Sequence, residues 1–269
     1  MRVAVYPSVL YGEDFLRESI ASVRPHVDAV YLVLMRRPWG HTEGVMYKGA
    51  WVPWPAKFDR TREIAEEIQR TDPGIHILDD DTFSPWNRWG HAVNDVVRKA
   101  CEPREVVILD PDCVFHEQEA VGAFADWDAH PEYQWAQPRQ VELWRTPEWQ
   151  VVRPRCMVTF ARGDLGLLSD DVRKRRGVQA PATCQLAGTV HNLGFCVSER
   201  TMRWKHLTSM AFSPVIGESL PNPDWYEDKW LRWTPGKRNL EVSIGSEGSI
   251  PCAVPYHGAV PESIRRRFQ

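Results

Sequence analysis

Two carboxylates in an i, i+2 arrangement are the sharpest chemical feature of this sequence. Asp110 and Asp112 flank Pro111 and follow directly on the apolar run at 106–109. Hard divalent cations prefer oxygen ligands, commonly carboxylates together with substrate phosphates. Pro111 fixes its own φ angle and so stiffens the turn between the two carboxylates. The spacing alone favours an Asp-Pro-Asp turn that only ends a strand, and together with the preceding strand it indicates a divalent-metal site equally well.

Strand and helix patterns alternate in the first half of the chain and must position this pair. Short apolar runs predict strands at 2–6, 27–34, 75–78 and 105–109. Helical spacing of apolar residues predicts helices at 14–23, 59–70 and 87–100. Pro7 is expected to end the first strand, Asp59 to cap the second helix, and 35–55 to form a long, functionally suspect loop.

This alternation predicts an α/β fold with a mainly parallel central sheet flanked by helices. Ligands of such sheets bind outside the carboxyl ends of the strands, where Asp110 and Asp112 lie. The second half is less regular. It carries strand candidates at 156–161, 192–198 and 250–256, and helix candidates at 224–233 and 261–268.

Five segments, in the right order, resemble motifs of the GT-A glycosyltransferases, in particular their family-2-like members. The opening is PSVLYGEDFLRESIASV at 7–23, and a helix resembling the one before the metal motif is WGHAVNDVVRKA at 89–100. LDPDC at 109–113 is similar to the D-x-D motif. WYEDKW at 225–230 resembles the Glu-Asp motif, and PYHG at 255–258 resembles the segment with a late metal-binding His.

This resemblance implies a single GT-A (Rossmann-like) domain over 1–269. Its nucleotide-sugar-binding half would span 1–115, and an irregular acceptor-binding and catalytic half would span 116–269. Asp110, Asp112 and His257 would bind Mn2+ or Mg2+, which would neutralise the diphosphate leaving group of a donor such as a UDP-sugar. His191 and His206 are rival ligands. For any of these histidines, a plain core or surface role is the alternative.

The resemblance also implies an inverting mechanism with Asp228 as general base and Glu227 as the alternative base or its support. Both carboxylates are equally explained as part of a solvated helix face. Trp225 and Trp230 are candidates for stacking on the acceptor, and core packing is the alternative for both.

Residues predicted to line the nucleotide-sugar pocket lie near strand ends and at the helix before Asp110. They are Pro7, Glu13, Asp79, Asp80, Asp81, Arg88, Asn94 and Asp110. The chain departs from the family pattern because Arg36 and Arg37 follow the second strand where an acidic pair is expected. The acidic run Asp79–Asp81 follows the third strand instead, and turn chemistry explains it equally well.

Composition restricts the class of protein. The 269 residues are 43% hydrophobic and 26% charged with a net charge of -3, which excludes a disordered or fibrous chain. No apolar run approaches the length of about 20 residues that spans a bilayer, so we expect a cytoplasmic protein without membrane contact. Six scattered cysteines without a C-x-x-C pair predict buried thiols rather than disulfides or structural zinc.

The sequence says least about the identity of the acceptor molecule. Thirteen Trp residues suit stacking, and basic clusters at 153/155, 173–176 and 265–267 suit phosphate contacts. Because small GT-A-like enzymes of phages glycosylate DNA, the leading acceptor is a 5-hydroxymethylpyrimidine base in phage DNA, reached by base extrusion. Glycan or small-molecule acceptors are the alternatives. A sugar nucleotidyltransferase, a glycoside hydrolase and a non-catalytic binding module are the rival classes.

Overall fold

The computed structural model describes residues 1–38, 43–80, 104–152, 156, 158–162, 184–213, 220–241, 250 and 252–269, with only the backbone of Asp80. The helix predicted at 87–100 lies outside these residues. So do Asp81, Arg88, Asn94 and the basic clusters at 153/155 and 173–176.

Ten of the described strands form one mixed sheet, and β3 and β4 form a separate hairpin. The strands are β1 (Arg2–Val9), β2 (Ala29–Met35), β3 (Gly44–Tyr47), β4 (Ala50–Pro53), β5 (Ile75–Asp80), β6 (Glu105–Ile108), β7 (Cys113–Phe115), β8 (Trp135–Trp144), β9 (Thr146–Val151), β10 (Thr159–Arg162), β11 (Cys184–Phe195) and β12 (Ala253–Pro255). The helices are α1 (Leu16–Val23), α2 (Thr61–Thr71), α3 (Glu117–Ala129), α4 (Glu199–Phe212) and α5 (Glu262–Arg265). Short 3-10 segments lie at Arg24–His26 and Arg266–Phe268, and a π-helical segment lies at Tyr226–Leu231.

The four central strands β5, β2, β1 and β6 are parallel, so the predicted α/β class with a mainly parallel centre is confirmed. Strands β1, β2 and β6 read as apolar runs because both of their faces are buried, whereas β5 lies at the edge of the described sheet and exposes His76 and Leu78. Ala4 and Tyr6 pack in the core that contains α1, α2 and α3, whereas Val3 and Val5 pack on the opposite face. The sheet then continues through the antiparallel strand β10 to β8, which pairs with β9 and β11.

Pro7 does not end β1, which continues to Val9 and differs from the prediction in this respect. The register between β1 and β2 shifts between Tyr6 and Val9, so the missing amide hydrogen of Pro7 falls within an irregular part of the ladder. The second helix begins at Thr61 rather than Asp59. The Asp59 carboxylate nevertheless accepts a hydrogen bond from the Thr61 amide at 2.9 Å.

The segment 35–55, predicted as a loop, contains the β3–β4 hairpin. Its two-residue turn is Lys48-Gly49, and both residues have positive φ angles, 49° and 82°. This backbone is typical of the tight turns that match the twist of a β-hairpin. The hairpin packs against α4, where Val45 shares a small core with Leu207 and Met210.

The second half is more regular than predicted. β11 extends from Cys184 and includes only part of the strand predicted at 192–198. The helix predicted at 224–233 is the π-helical segment, and α4 was not predicted. Within the described residues, no helix has the length and apolar character needed to cross a membrane.

Candidate functional site

The Asp110–Asp112 segment connects β6 to β7 at the carboxyl edge of the parallel strands. The Leu109 amide donates to the Val5 carbonyl at 3.0 Å, which keeps the chain beside β1 as β6 ends. The Cys113 amide donates to the Asp110 carbonyl, and the Leu193 amide donates to the Asp112 carbonyl at 2.8 Å. This turn is therefore held on both sides, and Asp112 is only 8% exposed.

Lys205 of α4 is the partner of the Asp112 carboxylate. Its Nζ lies 2.8 Å from Asp112 Oδ2 and 3.2 Å from the Gly194 carbonyl oxygen. Burial opposes the charged form of Lys205, but Asp112, with contributions from Asp110 and Asp14, raises the pKa of Lys205 above its ordinary value. The two side chains thus form a partly buried ion pair that the sequence alone did not reveal.

Gly194 lies against this ion pair, and its lack of a side chain leaves room for the two charged groups. A Cβ atom at Gly194 would lie 3.1 Å from Asp112 Oδ2 and 3.4 Å from Lys205 Nζ. It would also lie 2.9 Å from Oδ1 of Asn192, which accepts a hydrogen bond from the Gly194 amide. A side chain at this position would therefore press on the atoms that hold Lys205.

The predicted metal ligands are not gathered into one group of three side chains. Across the described residues, which include Asp110, Asp112 and His257, no group of three or more His, Cys, Asp or Glu side chains could hold a metal ion. One Asp112 oxygen is bound to the Lys205 ammonium, and His257 is exposed beyond β12. The described residues therefore do not assemble Asp110, Asp112 and His257 into the three-residue ligand set that the resemblance implied for Mn2+ or Mg2+, and an ammonium group stands at the Asp112 carboxylate.

The rival ligands His191 and His206 are buried, and burial lowers the pKa of each to about 4. His191 Nε2 lies 3.0 Å from the Tyr256 hydroxyl. His206 stacks on Trp225 with ring centroids 5.6 Å apart, and the Tyr47 ring meets it edge-on. Both rings are packed mainly against neutral or aromatic groups, and the charges of Glu227 and Lys48 act on the pKa of His206 in opposite directions. Among the described residues, neither ring lies in a metal-binding cluster.

A cavity of about 300 Å3 lies at the carboxyl ends of β1 and β2. Its apolar lining comes from Leu10, Met35 and Phe58, and charged residues at its edge include Arg36 and Lys57. Asp59 also lines the cavity. It accepts hydrogen bonds from the Thr61 and Glu13 amides, and burial raises its pKa. A larger depression of about 430 Å3 lies near Arg2 and Glu105, at the amino ends of the strands, away from the edge where α/β folds bind ligands.

The described residues predicted for the nucleotide pocket do not line this cavity. Pro7 is buried within β1, and Glu13 accepts a hydrogen bond from the Arg60 amide and pairs with Arg200. Asp79 pairs with Arg62, which does line the cavity. Asp59, Arg36 and Phe58 line the cavity but were not among the predicted pocket residues; Arg36 follows the second predicted strand, and Phe58 and Asp59 lie at the start of the second predicted helix.

Glu227 and Asp228 are adjacent in the π-helical segment but have separate partners. The Tyr47 hydroxyl lies 3.0 Å and 3.1 Å from the two Glu227 carboxylate oxygens, and Lys48 Nζ lies 3.3 Å from one of them. Burial raises the pKa of Glu227, but hydrogen bonds from its own amide, Tyr47 and Lys48 outweigh this and lower it.

Asp228 is held by lysines instead. Lys237 Nζ lies 2.8 Å from Oδ1 and Lys229 Nζ lies 3.3 Å from Oδ2. The hydrogen bond from Lys237, assisted by Lys229, lowers the pKa of Asp228. Both predicted bases are therefore ionised near neutral pH, but in different charge environments.

Trp225 and Trp230 are core residues, each about 1% exposed. The Trp225 indole donates to the Leu240 carbonyl at 2.8 Å, and the Trp230 indole donates to the Phe195 carbonyl at 2.9 Å. With both ring faces packed in the protein, neither side chain is available to stack on an acceptor. This corrects the acceptor-binding role predicted for them, because the apolar interior takes these rings up.

Helix α4 links the three parts of the site. Its Lys205 holds Asp112, its His206 contacts Tyr47, and its Trp204 packs on Phe58 with ring centroids 5.3 Å apart. Ser198 caps the helix: its hydroxyl oxygen accepts a hydrogen bond from the Thr201 amide, and its own amide donates to Asp14 in the loop after β1. One helix thereby fixes the cavity, the ion pair and the Glu227 region with respect to one another.

No family model and no curated protein sequence matches this chain. Similar solved structures include S. aureus TarS 1-349, with 13% identity over 86% of this chain and 71% of that chain and a TM-score of 0.45. The same protein in complex with UDP-GlcNAc has 15% identity and a TM-score of 0.39, and the match covers 62% of this chain and only 46% of that chain.

Two further solved structures are similar over most of this chain. 4-Diphosphocytidyl-2C-methyl-D-erythritol synthase has 11% identity over 77% of this chain and 97% of that chain, with a TM-score of 0.44. Glucosyl-3-phosphoglycerate synthase from Mycobacterium tuberculosis, in complex with Mn2+, UDP and phosphoglyceric acid, has 13% identity over 80% and 77%, with a TM-score of 0.42. At these identities and TM-scores, the likeness carries no activity over to this chain.

Proposed function

We propose that this protein transfers a glycosyl group from a nucleoside diphosphate sugar to an acceptor hydroxyl. The observation that carries the proposal is the placement of two features on neighbouring strands at one sheet edge. The 300 Å3 cavity opens at the ends of β1 and β2, and the Asp112–Lys205 pair follows β6, the strand on the other side of β1. A nucleoside fits the partly apolar cavity, and a diphosphate carries the negative charge that an ammonium group binds.

The reaction is a single displacement at the anomeric carbon. The acceptor oxygen forms the new bond as the bond from the anomeric carbon to the diphosphate oxygen breaks. The nucleoside diphosphate leaves with that electron pair, and the acceptor proton passes to a carboxylate of the π-helical segment. One displacement gives inversion at the anomeric carbon. No step is assigned to a divalent metal, because the Asp112 carboxylate is bound to the Lys205 ammonium.

Glu227 is proposed as the base in preference to Asp228. Two ammonium groups hold the Asp228 carboxylate, which reduces its affinity for a proton. Glu227 contacts one ammonium group and the Tyr47 hydroxyl, and through Tyr47 it neighbours α4, which carries Lys205. Glu227 is therefore the carboxylate more closely connected to the proposed diphosphate site.

The proposed acceptor to test first is a 5-hydroxymethylpyrimidine base in DNA. This choice depends on composition and on resemblance to phage enzymes. Arg265, Arg266 and Arg267 make ion pairs with Glu262 and Glu18, so this cluster is partly neutralised within the protein. Unmodified DNA of the same sequence is the matched acceptor control, and glycan or small-molecule hydroxyls are the alternative acceptors.

The test combines UDP binding with donor turnover. A ligand that binds only the native state stabilises it by about 2.7 kcal/mol at a hundredfold excess over Kd, so UDP is expected to raise the unfolding temperature. With UDP-glucose and an acceptor, UDP should be released. E227Q should lower turnover roughly 10²–10⁴-fold while UDP still binds, and D228N should lower it much less.

Three results would contradict the proposal. One is the absence of stabilisation by UDP and by the other nucleoside diphosphates. The second is the release of pyrophosphate from a nucleoside triphosphate, which would indicate nucleotidyl transfer. The third is full turnover by E227Q together with loss of turnover in D228N, which would assign the base to Asp228.

A further inference from the structure

The Asp112–Lys205 ion pair occupies the place that the sequence pattern predicts for a divalent cation. Asp112 is the second carboxylate of the D-x-D pattern, and its Oδ2 lies 2.8 Å from Lys205 Nζ. No three-ligand metal group exists among the residues that the structure describes. We infer that the Lys205 ammonium itself binds the donor diphosphate, so that transfer requires no divalent metal. This inference rests on the proposed glycosyl transfer.

The hydrogen-bond capacity of Lys205 supports this role. An ammonium group has three N–H donors, and within the described part of the chain two of them are used, by Asp112 Oδ2 and the Gly194 carbonyl. The Lys205 side chain retains 29% exposure, so solvent and a ligand can reach it. The third donor is the one available to a phosphate oxygen.

The position of Lys205 makes its charge effective. The ammonium is already fixed by two acceptors and by the packing of α4, so little reorganisation is needed when the leaving group gains charge. A fixed charge in a partly buried site stabilises a developing anion better than a charge in bulk water does. Lys205 keeps its proton throughout, and the nucleoside diphosphate departs as the anion.

Asp112 is then a positioning residue rather than a metal ligand. Its carboxylate orients Lys205 and is itself held by the turn whose Asp112 carbonyl accepts the Leu193 amide. Gly194 completes the arrangement, since a Cβ atom there would lie 3.4 Å from Lys205 Nζ. These contacts explain why a carboxylate and a glycine accompany the lysine.

The experiment measures UDP affinity and UDP-glucose turnover of the full chain in excess EDTA and in excess Mn2+. Both quantities are expected to stay within about twofold between the two conditions. K205M should weaken UDP binding roughly 10- to 100-fold, the range for loss of one charge-assisted hydrogen bond, and K205R should recover part of it. R203M is the matched control, because it removes an exposed cationic side chain from the same helix.

The outcomes separate this inference from the proposed function. If UDP binds and turns over only with Mn2+, the ammonium role is overturned, whereas glycosyl transfer stands. If UDP binds in neither condition, the proposed function is overturned, and the inference that rests on it is overturned with it. If K205M and R203M weaken binding equally, the loss reflects the net charge of α4, and the specific role of Lys205 is overturned. K205R and the EDTA comparison remain decisive even if K205M does not fold.

Discussion

The hydrogen bond between the Tyr47 hydroxyl and the Glu227 carboxylate should help to set the pKa of the proposed base. The Tyr47 hydroxyl lies within 3.1 Å of both Glu227 carboxylate oxygens and 2.8 Å from the Pro223 carbonyl. A donor near a carboxylate favours its ionised form, and this contact is one of those that lower the pKa of Glu227. Removing the hydroxyl should therefore raise that pKa towards its ordinary value.

Y47F is expected to move the acid limb of the pH–rate profile to higher pH. A base with a raised pKa becomes protonated at a higher pH, so turnover declines earlier as the solution is acidified. The unfolding free energy should fall by about 1 kcal/mol, the net value of such a hydrogen bond. The measurements are kcat against pH and urea unfolding.

Y133F is the matched control for Y47F, because the described contacts of Tyr133 include ring stacking on His130 but no hydrogen bond of its hydroxyl. It should leave both the profile and the stability unchanged. An unshifted acid limb in Y47F would show that Glu227 is not the group titrating in that limb.

Single residues also show how far sequence reasoning reaches. Asp112 was identified because its spacing and strand context are local. Lys205 could not be identified, since its pairing with Asp112 joins segments that are 93 residues apart and depends on the path of α4. Trp225 and Trp230 were predicted to bind the acceptor, because residue type alone does not show whether a side chain is buried.

At the scale of elements, two tight turns hold the two candidate bases separately. Gly49, at φ +82°, follows Lys48 in the β3–β4 turn, and Gly236, at φ +86°, precedes Lys237. Apart from its chain neighbours, neither glycine has a described atom within 4 Å of an ideal Cβ position, so the cost of an alanine there is conformational rather than steric. The two positions form a matched pair, one beside the partners of Glu227 and one beside a partner of Asp228.

G49A and G236A should each lower the unfolding free energy by about 1–2 kcal/mol, the cost of a left-handed conformation for a residue with a Cβ atom. Only G49A should lower turnover, because relaxation of its turn displaces Tyr47 and Lys48 from Glu227. Urea unfolding and initial rates with UDP-glucose measure the two effects. Slower turnover in G236A alone would point to Asp228 as the base.

The elements that sequence reasoning missed have weak local signals. Helix α4 buries Thr201, His206 and Thr208 as well as apolar residues, so its apolar periodicity is blurred. Strands β3 and β4 have only four residues each, and their turn lacks the Asn-Gly or Asp-Gly signature. By contrast, the parallel strands β1, β2 and β6 are apolar runs buried on both faces, and all four parallel strands were predicted to within a few residues.

At the scale of the whole molecule, the second half is stabilised by a core that is distinct from the core of the parallel strands. Trp144, Trp225 and Trp230 are its largest fully buried side chains. His206 stacks on Trp225, which belongs to this core. His191 of β11 contacts Tyr256, which packs at the edge of the same core. Two neutral histidines are thus built into the part of the fold that carries the candidate base.

These two histidines predict that the protein loses stability in mild acid. Their pKa values in the folded protein are about 4, whereas an unfolded histidine has a pKa of about 6.5. Their contribution is therefore fully present above about pH 6.5 and is lost as the unfolded state takes up protons down to about pH 4. Linkage gives a loss of about 2 kcal/mol for each histidine between about pH 7 and about pH 5.

H206F should remove about half of this acid sensitivity, because a phenyl ring keeps the stacking on Trp225 but does not titrate. The measurement is the difference in urea unfolding free energy between about pH 7 and about pH 5. Using this difference cancels any change in absolute stability that the substitution itself causes. H76F, which replaces an exposed ring stacked on Tyr31, should behave like the parent. An H206F protein that loses as much stability as the parent would show that His206 is not neutral in the fold, and that its site reaches water or an acidic partner at low pH.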